Sequence, residues 1–267
     1  GLSFSTLFYI YVGESYIYSA LILLLTFYFA RRQNLPVTVI LGVLAAGVTI
    51  TNAALWAVIV VCSGAALRRK LTTLLLGGGA FCSIVALTPM RTFFFTKLIP
   101  GALGSANSFS DHFSPLGVVR RVFFAFFGST GFYLDTMDQS AFGDFVGDAL
   151  AFLPSASLPI IAAGLVWVGL LAWAVLRHFR SPLLYAPLAV LGCNLFLHGA
   201  LQYGLKEAFL YSLHHLPAQV CIAALPMTPE ADPRERRTAA WILGVYGVCL
   251  VVLNLPGYYA LAQYLSK

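Results

Sequence analysis

Glu14 is a lone carboxylate inside a long apolar segment, and hydroxyl-bearing residues adjoin it. Residues 7–30 hold no other charged side chain, Ser15 and Tyr16 follow Glu14 directly, and Tyr18 lies one helical turn later. A carboxylate costs about 2.5–3.5 kcal/mol at the centre of a bilayer, so its presence requires a reason. The grouping predicts a cavity that could bind sugar hydroxyls, accept a proton or hold a cation. A hydrogen bond between packed helices is the structural alternative.

A second group of chemically active side chains lies between residues 203 and 217. Glu207, Tyr211 and either His214 or His215 recur at a spacing that places them on one helical stripe. Lys206 precedes them and could bind a phosphate where the helix begins, since a helix N-terminus adds partial positive charge. The alternative is a topological anchor with a belt of Tyr and His at the membrane interface.

The histidines do not have the spacing of a metal site. His214 and His215 are adjacent and would point about 100° apart on a helix, and His198 belongs to the preceding segment. Neither an HExxH nor an HxH pattern occurs, so the sequence predicts no His-based metal site. Carboxylates such as Asp135 and Asp138 could still bind a divalent cation. Alternatively, they belong to a solvated loop.

Two further groups of cations could meet phosphate. Arg91 follows an apolar segment, and Arg120 and Arg121 begin a run of Val, Phe and Ala. The run suits an interfacial or re-entrant helix whose arginines reach lipid phosphates. Alternatively, these arginines only extend to the membrane surface and stabilise the segment.

The composition places all of these residues in a membrane protein. Of 267 residues, 60% are apolar and 10% are charged, whereas soluble domains carry about 25% charged residues. The net charge of +6 resides in short clusters between apolar segments. We therefore expect a lipid bilayer as the partner of this surface and no nucleic acid.

The apolar segments predict an all-α polytopic membrane bundle with about six full spans, a broken-helix hairpin and one long extracytoplasmic loop. Residues 1–90 form an N-terminal bundle, 91–157 the loop and 158–267 a four-span C-terminal bundle. The loop is predicted to carry interfacial helices at Val118–Phe127 and Phe142–Leu153. The remaining elements are a span at 7–30, the hairpin at 36–67, and spans at 71–90, 158–176, 183–203, 208–226 and 239–262.

The hairpin follows from length. Residues 36–67 as one helix would measure about 47 Å, too long for a single crossing. Gly47 through Asn52 has low helix propensity, so we predict two short helices broken near Thr51 and Asn52. The glycines at 77–79 lie inside a span and predict close helix packing.

Positive charge then orients the chain. Ten Lys and Arg residues occupy the short connections, and the predicted alternation of spans places all of them on one face, which is assigned to the cytoplasm. They are Arg31, Arg32, Arg68, Arg69, Lys70, Arg177, Arg180, Arg234, Arg236 and Arg237. Loop 91–157 is assigned to the extracytoplasmic face of a multi-pass protein, in the plasma membrane of a bacterium or a similar cell.

Residues 8–67 resemble the polytopic C-type glycosyltransferases, most closely the protein O-mannosyltransferase-like branch. The resemblance rests on Gly13-Glu14-Ser15-Tyr16, the apolar run ending at Arg31-Arg32, and a Gly-containing stretch, Gly42 and Gly47, that ends in Thr51-Asn52. It implies a membrane enzyme that takes sugar from a polyprenyl-phosphate donor on the extracytoplasmic face. The main catalytic aspartate of that family would lie upstream of Gly1, so no catalytic residue is assigned.

The resemblance and the topology together give two sets of expected ligand contacts. The family pattern carries over to Glu14, Tyr16 and Asn52 as cavity-lining positions. The expected substrate-binding residues are Glu14, Tyr16, Asn52, Glu207, Tyr211 and His214, and the expected donor-phosphate ligands, inferred from charge and topology, are Arg91, Arg120 and Lys206.

Two other classes of function compete with the enzyme. A transporter or lipid flippase would use Glu14 as a coupling-ion or proton site and the broken 36–67 stretch as a discontinuous helix. A non-catalytic membrane subunit would use these polar residues only for packing.

Overall fold

The fold was examined in a computed structural model that describes residues 16–89, 91–93, 96, 113–123, 126–127, 158–203 and 212–265. Within these ranges every regular element is a helix, as expected. Three helical segments there are long and apolar enough to cross a membrane, namely Ile161–His178, Pro182–Ala200 and Pro233–Leu255. The described part of the chain is thus all-helical and of membrane type, with three span-length segments.

Nine helices of regular length and three short turns form the described structure. The helices are α1 (Tyr16–Arg31), α2 (Leu35–Val48), α3 (Ile50–Cys62), α4 (Leu67–Ala86), α5 (Pro115–Phe123), α6 (Leu158–His178), α7 (Pro182–Leu195), α8 (Ser212–Ala223) and α9 (Pro233–Leu265). The turns are Arg91–Phe93, a π-helical Phe196–Ala200 that continues α7, and a 3₁₀ turn at Leu225–Met227.

The connection between α1 and α2 is built from local capping. Gln33 has a φ of 52°, and the Asn34 N–H reaches back to the Phe29 carbonyl, which ends α1 in a left-handed turn. The Asn34 side chain then accepts a hydrogen bond from the Val37 N–H and begins α2. The chain therefore reverses within a few residues.

The predicted break in the 36–67 stretch is present, but it lies at Thr49 and not at Thr51-Asn52. Thr49 is extended (φ −152°, ψ 151°), and its hydroxyl accepts a hydrogen bond from the Asn52 N–H. Thr49 is thus the N-cap, because a cap residue sits outside the helix that it begins. Asn52 lies inside α3, and its side chain is used in packing.

Trp56 packs between this hairpin and α4. Its indole N–H donates to the Thr38 carbonyl at 2.9 Å, so α2 and α3 lie side by side. A Cβ at Gly42 would lie 2.5 Å from the Trp56 ring, and one at Gly77 would lie 2.6 Å from it. The prediction of close packing is therefore confirmed for Gly77, whereas Gly78 has no such neighbour.

Four connections that contain or adjoin basic residues meet at one end of the bundle, here called the basic end. Arg31, Ser63, Pro182 and Thr228, each from a different connection or helix terminus, line one cavity. Arg69 also donates to the Gln33 side chain at 3.4 Å. These connections are thus close in space, and the side of the membrane that they face stays a prediction.

The basic residues were expected in the loops between helices, but some of them lie within helices. Arg68, Arg69 and Lys70 fall in the first turn of α4, and Arg234 falls in the first turn of α9. The Asp232 carboxylate accepts a hydrogen bond from the Arg234 N–H at 2.7 Å, so α9 begins earlier than position 239. Arg177 pairs with Glu235 at 3.0 Å and ties α6 to α9.

Candidate functional site

The end of the bundle opposite the basic end contains a group of buried polar side chains, here called the polar cluster. Helix direction places it there, because α1 runs from Tyr16 to Arg31 and α8 runs from Ser212 toward the basic end. Its members come from α1, α3, α8 and the π-turn, and they are Ser19, Asn52, His198, His214, His215 and Gln219.

The side-chain amide of Gln219 links parts of the chain that are far apart in sequence. Its Oε1 accepts a hydrogen bond from the Trp167 indole at 2.7 Å. Its Nε2 donates to the Phe126 carbonyl at 2.9 Å and lies 3.0 Å from Nδ1 of His215. An indole can only donate and a carbonyl can only accept, so the amide orientation follows from its partners. Gln219 therefore joins α6, α8 and the segment at 126–127.

The same bonds determine the tautomer of His215. Since Gln219 Nε2 is a donor, Nδ1 of His215 accepts, and the neutral ring carries its proton on Nε2. The ring is buried and stacks on Phe126 with centroids 3.9 Å apart and planes at 10°. Its Nε2 has no hydrogen-bond partner among the described residues. His215 thus presents a buried N–H donor with a fixed orientation.

His198 carries its proton on the other ring nitrogen. Its Nδ1 lies 2.7 Å from the Tyr203 carbonyl, so Nδ1 carries the proton and Nε2 of the neutral ring is an acceptor. The Phe126 ring lies edge-on to His198, with centroids 6.3 Å apart, and also stacks on His215. The two imidazoles therefore flank one aromatic ring and offer complementary hydrogen-bonding atoms.

Helix α1 contributes Tyr16 and Ser19 to the other side of the cluster. The Tyr16 ring packs against His214 with centroids 5.5 Å apart. One turn later, the Ser19 hydroxyl accepts a hydrogen bond from Nδ2 of Asn52 at 2.7 Å. Oδ1 of Asn52 and the buried hydroxyl of Ser212 have no hydrogen-bond partner in the described part of the chain.

The segment at 113–127 packs into the bundle and does not merely lie on its surface. Helix α5 ends at Phe123, and Phe126 beyond it is fully buried in the core. The Phe113 N–H donates to the Gln202 side chain at 2.8 Å, and the Arg121 guanidinium lies over the Phe113 ring at 3.9 Å. The described residues of the expected helix at Val118–Phe127 are helical, and the helix begins earlier, at Pro115. Whether the segment is interfacial or re-entrant in a membrane stays a prediction.

The structure brings three of the predicted substrate-binding residues to this end. Tyr16 contacts His214, and Asn52 is linked to α1 through Ser19. The other predicted substrate-binding residues, Glu14, Glu207 and Tyr211, lie outside the described residues, and so does the predicted phosphate ligand Lys206. The expected helix at Phe142–Leu153 and the carboxylates Asp135 and Asp138 also lie outside them.

The two remaining predicted phosphate ligands are not shown to join the cluster. Arg91 is exposed, and its N–H caps the preceding turn by donating to the Thr88 carbonyl at 3.2 Å. Arg120 lies in α5, the helix that packs against the π-turn of His198. Both therefore stay predictions as ligands.

The chemistry of the described cluster is neutral hydrogen bonding. The three described carboxylates, Glu230, Asp232 and Glu235, all belong to the basic end. Among the described residues, no group of three or more His, Cys, Asp or Glu side chains is placed to hold a metal ion. Imidazole, amide and hydroxyl groups of this kind suit a ligand rich in hydroxyls.

Three residues that contribute to the polar cluster were not predicted from the sequence, namely Gln219, Ser19 and Phe126. Gln219 carries a weak signal, since it is a lone amide in an apolar run one turn after His215. Phe126 carries none, because a phenylalanine in a Phe-rich run has no distinctive pattern. The buried Asn194 of α7 lies outside this group and donates to the Val190 carbonyl of its own helix at 2.9 Å.

Comparison of the whole chain with models of protein families, with curated proteins and with solved structures finds no match.

Proposed function

We propose that the chain is a membrane glycosyltransferase-like protein that takes a sugar from a polyprenyl-phosphate donor at the end of the bundle that holds the polar cluster. The observation that carries this proposal is the set of buried polar atoms without a hydrogen-bond partner among the described residues: Nε2 of His215, Oδ1 of Asn52 and Oγ of Ser212. Buried polar groups in proteins are nearly always satisfied, so such atoms suggest a bound polar ligand.

A sugar fits the chemistry of these atoms. His215 offers a donor, Asn52 an acceptor, and Ser212 can serve as either, which matches hydroxyl groups that both donate and accept. The stacked Phe126 ring and the Tyr16 ring add aromatic surface beside the polar atoms. A charged ligand fits less well, since the described members of the cluster are neutral groups.

The proposed topology places this cluster outside the cytoplasm. The basic end would face the cytoplasm because Lys and Arg concentrate in cytoplasmic connections. With about six spans in the whole chain, loop 91–157 would then lie on the extracytoplasmic side, beside the cluster. A polyprenyl-phosphate sugar presented on that side would meet Arg91, Arg120 and Lys206 as candidate ligands of its phosphate.

The reaction would join an acceptor hydroxyl to the anomeric carbon of the sugar. The hydroxyl oxygen forms the new bond, the bond from that carbon to the phosphate oxygen breaks, and polyprenyl phosphate leaves with the electron pair. The hydroxyl proton passes to a base, for which a carboxylate is suitable. Glu14 precedes Tyr16 by two residues and Glu207 precedes Ser212 by five, so these are the carboxylates that adjoin the cluster in sequence.

The break in the 36–67 stretch does not support a transport function as well as the polar cluster supports sugar binding. The break at Thr49 folds α2 and α3 into a hairpin that is held by the bond from Trp56 to Thr38. Coupling-ion sites in transporters instead use the ends of discontinuous helices near the midplane. The hairpin is better explained as a packed helix pair that positions Asn52 against Ser19.

The test uses membranes that contain the full chain and polyprenyl-phosphate mannose or glucose labelled in the sugar. We expect the chain to retain labelled donor and to transfer the label to a membrane acceptor. His215→Phe, which keeps the aromatic stack but removes the N–H donor, should lose retention, whereas Tyr185→Phe on an exposed position should not. Failure of both labelled donors to bind or to transfer would contradict the proposal. Donor retention without transfer would instead indicate a non-catalytic subunit, and label accumulating inside sealed vesicles would indicate transport.

A further inference from the structure

A cavity of about 380 Å³ lies at the basic end, on the opposite side of the bundle from the polar cluster. Its walls are apolar and come from α1, α3, α7 and α8. They include Leu24, Phe27, Ile59, Leu183, Ala186 and Cys221. The volume falls within the roughly 300–1,000 Å³ that is typical of ligand sites. The cavity is thus large enough for a ligand and separate from the polar cluster.

The mouth of this cavity is polar and cationic. Arg31 and Arg32 line it, together with Ser63 and Thr228. Arg32 lies 5.5 Å from the centroid of the Tyr28 ring, which holds its guanidinium near the rim. The site therefore joins an apolar interior to a rim with two positive charges and two hydroxyls.

Nearby carboxylates do not neutralise these arginines in the described part of the chain. Asp232 accepts a hydrogen bond from the Arg234 N–H, and Glu235 pairs with Arg177 and His178. The ion pairs seen among the described residues involve neither Arg31 nor Arg32. Both arginines line the cavity and are exposed, so they lie at its opening.

The cavity also borders the outer surface of the bundle. Leu24 and Tyr28 of α1 line it, and they are 40% and 54% exposed. In a membrane, the exposed face of an apolar helix contacts lipid chains. An alkyl chain could therefore enter from the side while its headgroup stays at the rim.

We propose that this cavity binds an anionic phospholipid, with one acyl chain between α1, α3, α7 and α8 and its phosphate at Arg31 and Arg32. Charge complementarity selects this occupant, because an apolar cavity with a doubly cationic mouth matches an alkyl chain that carries a negative headgroup. Basic pockets between membrane helices bind such headgroups in general. The proposal does not depend on the glycosyltransferase proposal.

Two cysteines make the site testable in the full chain. Cys62 and Cys221 line the cavity, whereas Cys82 is exposed on α4 and outside it. The purified protein in a neutral detergent is alkylated with N-ethylmaleimide, and the rate at each cysteine is read by mass spectrometry of its peptide. Added phosphatidylglycerol should slow alkylation of Cys62 and Cys221 but not of Cys82. Phosphatidylcholine with the same acyl chains should protect far less.

Paired substitutions test the role of the two arginines. The double variant Arg31→Gln/Arg32→Gln should bind phosphatidylglycerol about 30-fold more weakly, since each basic residue near a membrane surface contributes about five- to sixfold. The matched control Arg236→Gln/Arg237→Gln removes two charges from the same end but not from the cavity lining. It should change binding by less than about twofold, because salt screens distant charges.

A cavity-filling substitution tests the acyl-chain part of the proposal. Ala186→Phe should abolish protection by phosphatidylglycerol with both arginines intact, while thermal unfolding verifies that the variant is folded. Equal protection by the two lipids would overturn the proposal, as would protection by glycerol phosphate alone, which would indicate a soluble anion. An equal loss in both double variants would also overturn it, and the arginine pairs remain decisive if Ala186→Phe fails to fold.

Discussion

Replacing Gln219 by leucine tests whether the polar cluster depends on one side chain. Leucine has a similar volume, so the change removes hydrogen bonds without opening a large cavity. It leaves the Trp167 N–H and the Phe126 carbonyl without the partners that lie at 2.7 and 2.9 Å in the native protein. Each buried group left unsatisfied costs about 1–3 kcal/mol in proteins generally.

The membrane setting moderates that cost. Interhelical hydrogen bonds measured in a membrane bundle average about 0.6 kcal/mol and reach about 1.7 kcal/mol. Gln219→Leu also removes the bond to Nδ1 of His215. With three bonds lost at Gln219, we expect the unfolding free energy to fall by about 2 kcal/mol. Reversible unfolding of the purified chain in mixed micelles measures this change.

A double-mutant cycle then isolates the bond to the indole. Trp167→Phe removes the donor and keeps an aromatic ring against Tyr246, on which Trp167 stacks at 4.8 Å. Combined with Gln219→Leu, it should show a coupling energy of about 1 kcal/mol, because both changes remove the same bond. Trp173→Phe is the matched control, since that indole is not part of the Gln219 network, and its effect should be additive. A coupling below about 0.3 kcal/mol for the first pair would refute the reasoning, since independent sites add within that error.

Two further predictions concern the hairpin and α4, and the same unfolding measurement checks both. Gly77→Ala should destabilise the protein by about 1–3 kcal/mol because its Cβ would lie 2.6 Å from the Trp56 ring, whereas Gly78→Ala, with nothing within 4 Å, should stabilise it by up to about 1 kcal/mol. Equal effects of the two alanines would show that Trp56 moves aside freely. Thr49→Ala should cost about 1 kcal/mol by removing the N-cap of α3, and Thr51→Ala, inside that helix, should cost less. A larger loss at Thr51 would place the cap where the sequence predicts it.

The sequence alone determined the features that depend on composition and on local chain length. Runs of apolar residues specify membrane helices because a buried backbone must satisfy its own hydrogen bonds. The 36–67 stretch had to break because one straight helix would be too long for a bilayer. The sequence did not distinguish Thr49 from Thr51 as the cap, because both residues have the same chemistry. The register of the hairpin is set instead by the packing of Trp56 against Thr38.

The tertiary structure decided which polar residues meet. The family resemblance predicted Tyr16 and Asn52 as cavity-lining positions, and topology predicted His214 near the same end; the structure brings the three to one end. Gln219 and Phe126 are 93 residues apart, and no local pattern relates an amide in one helix to a backbone carbonyl in a distant segment. The tautomer of His215 depends on that same contact. The cavity at the basic end likewise arises only when four helices pack, because its walls are ordinary apolar residues and its arginines look in the sequence like topological anchors.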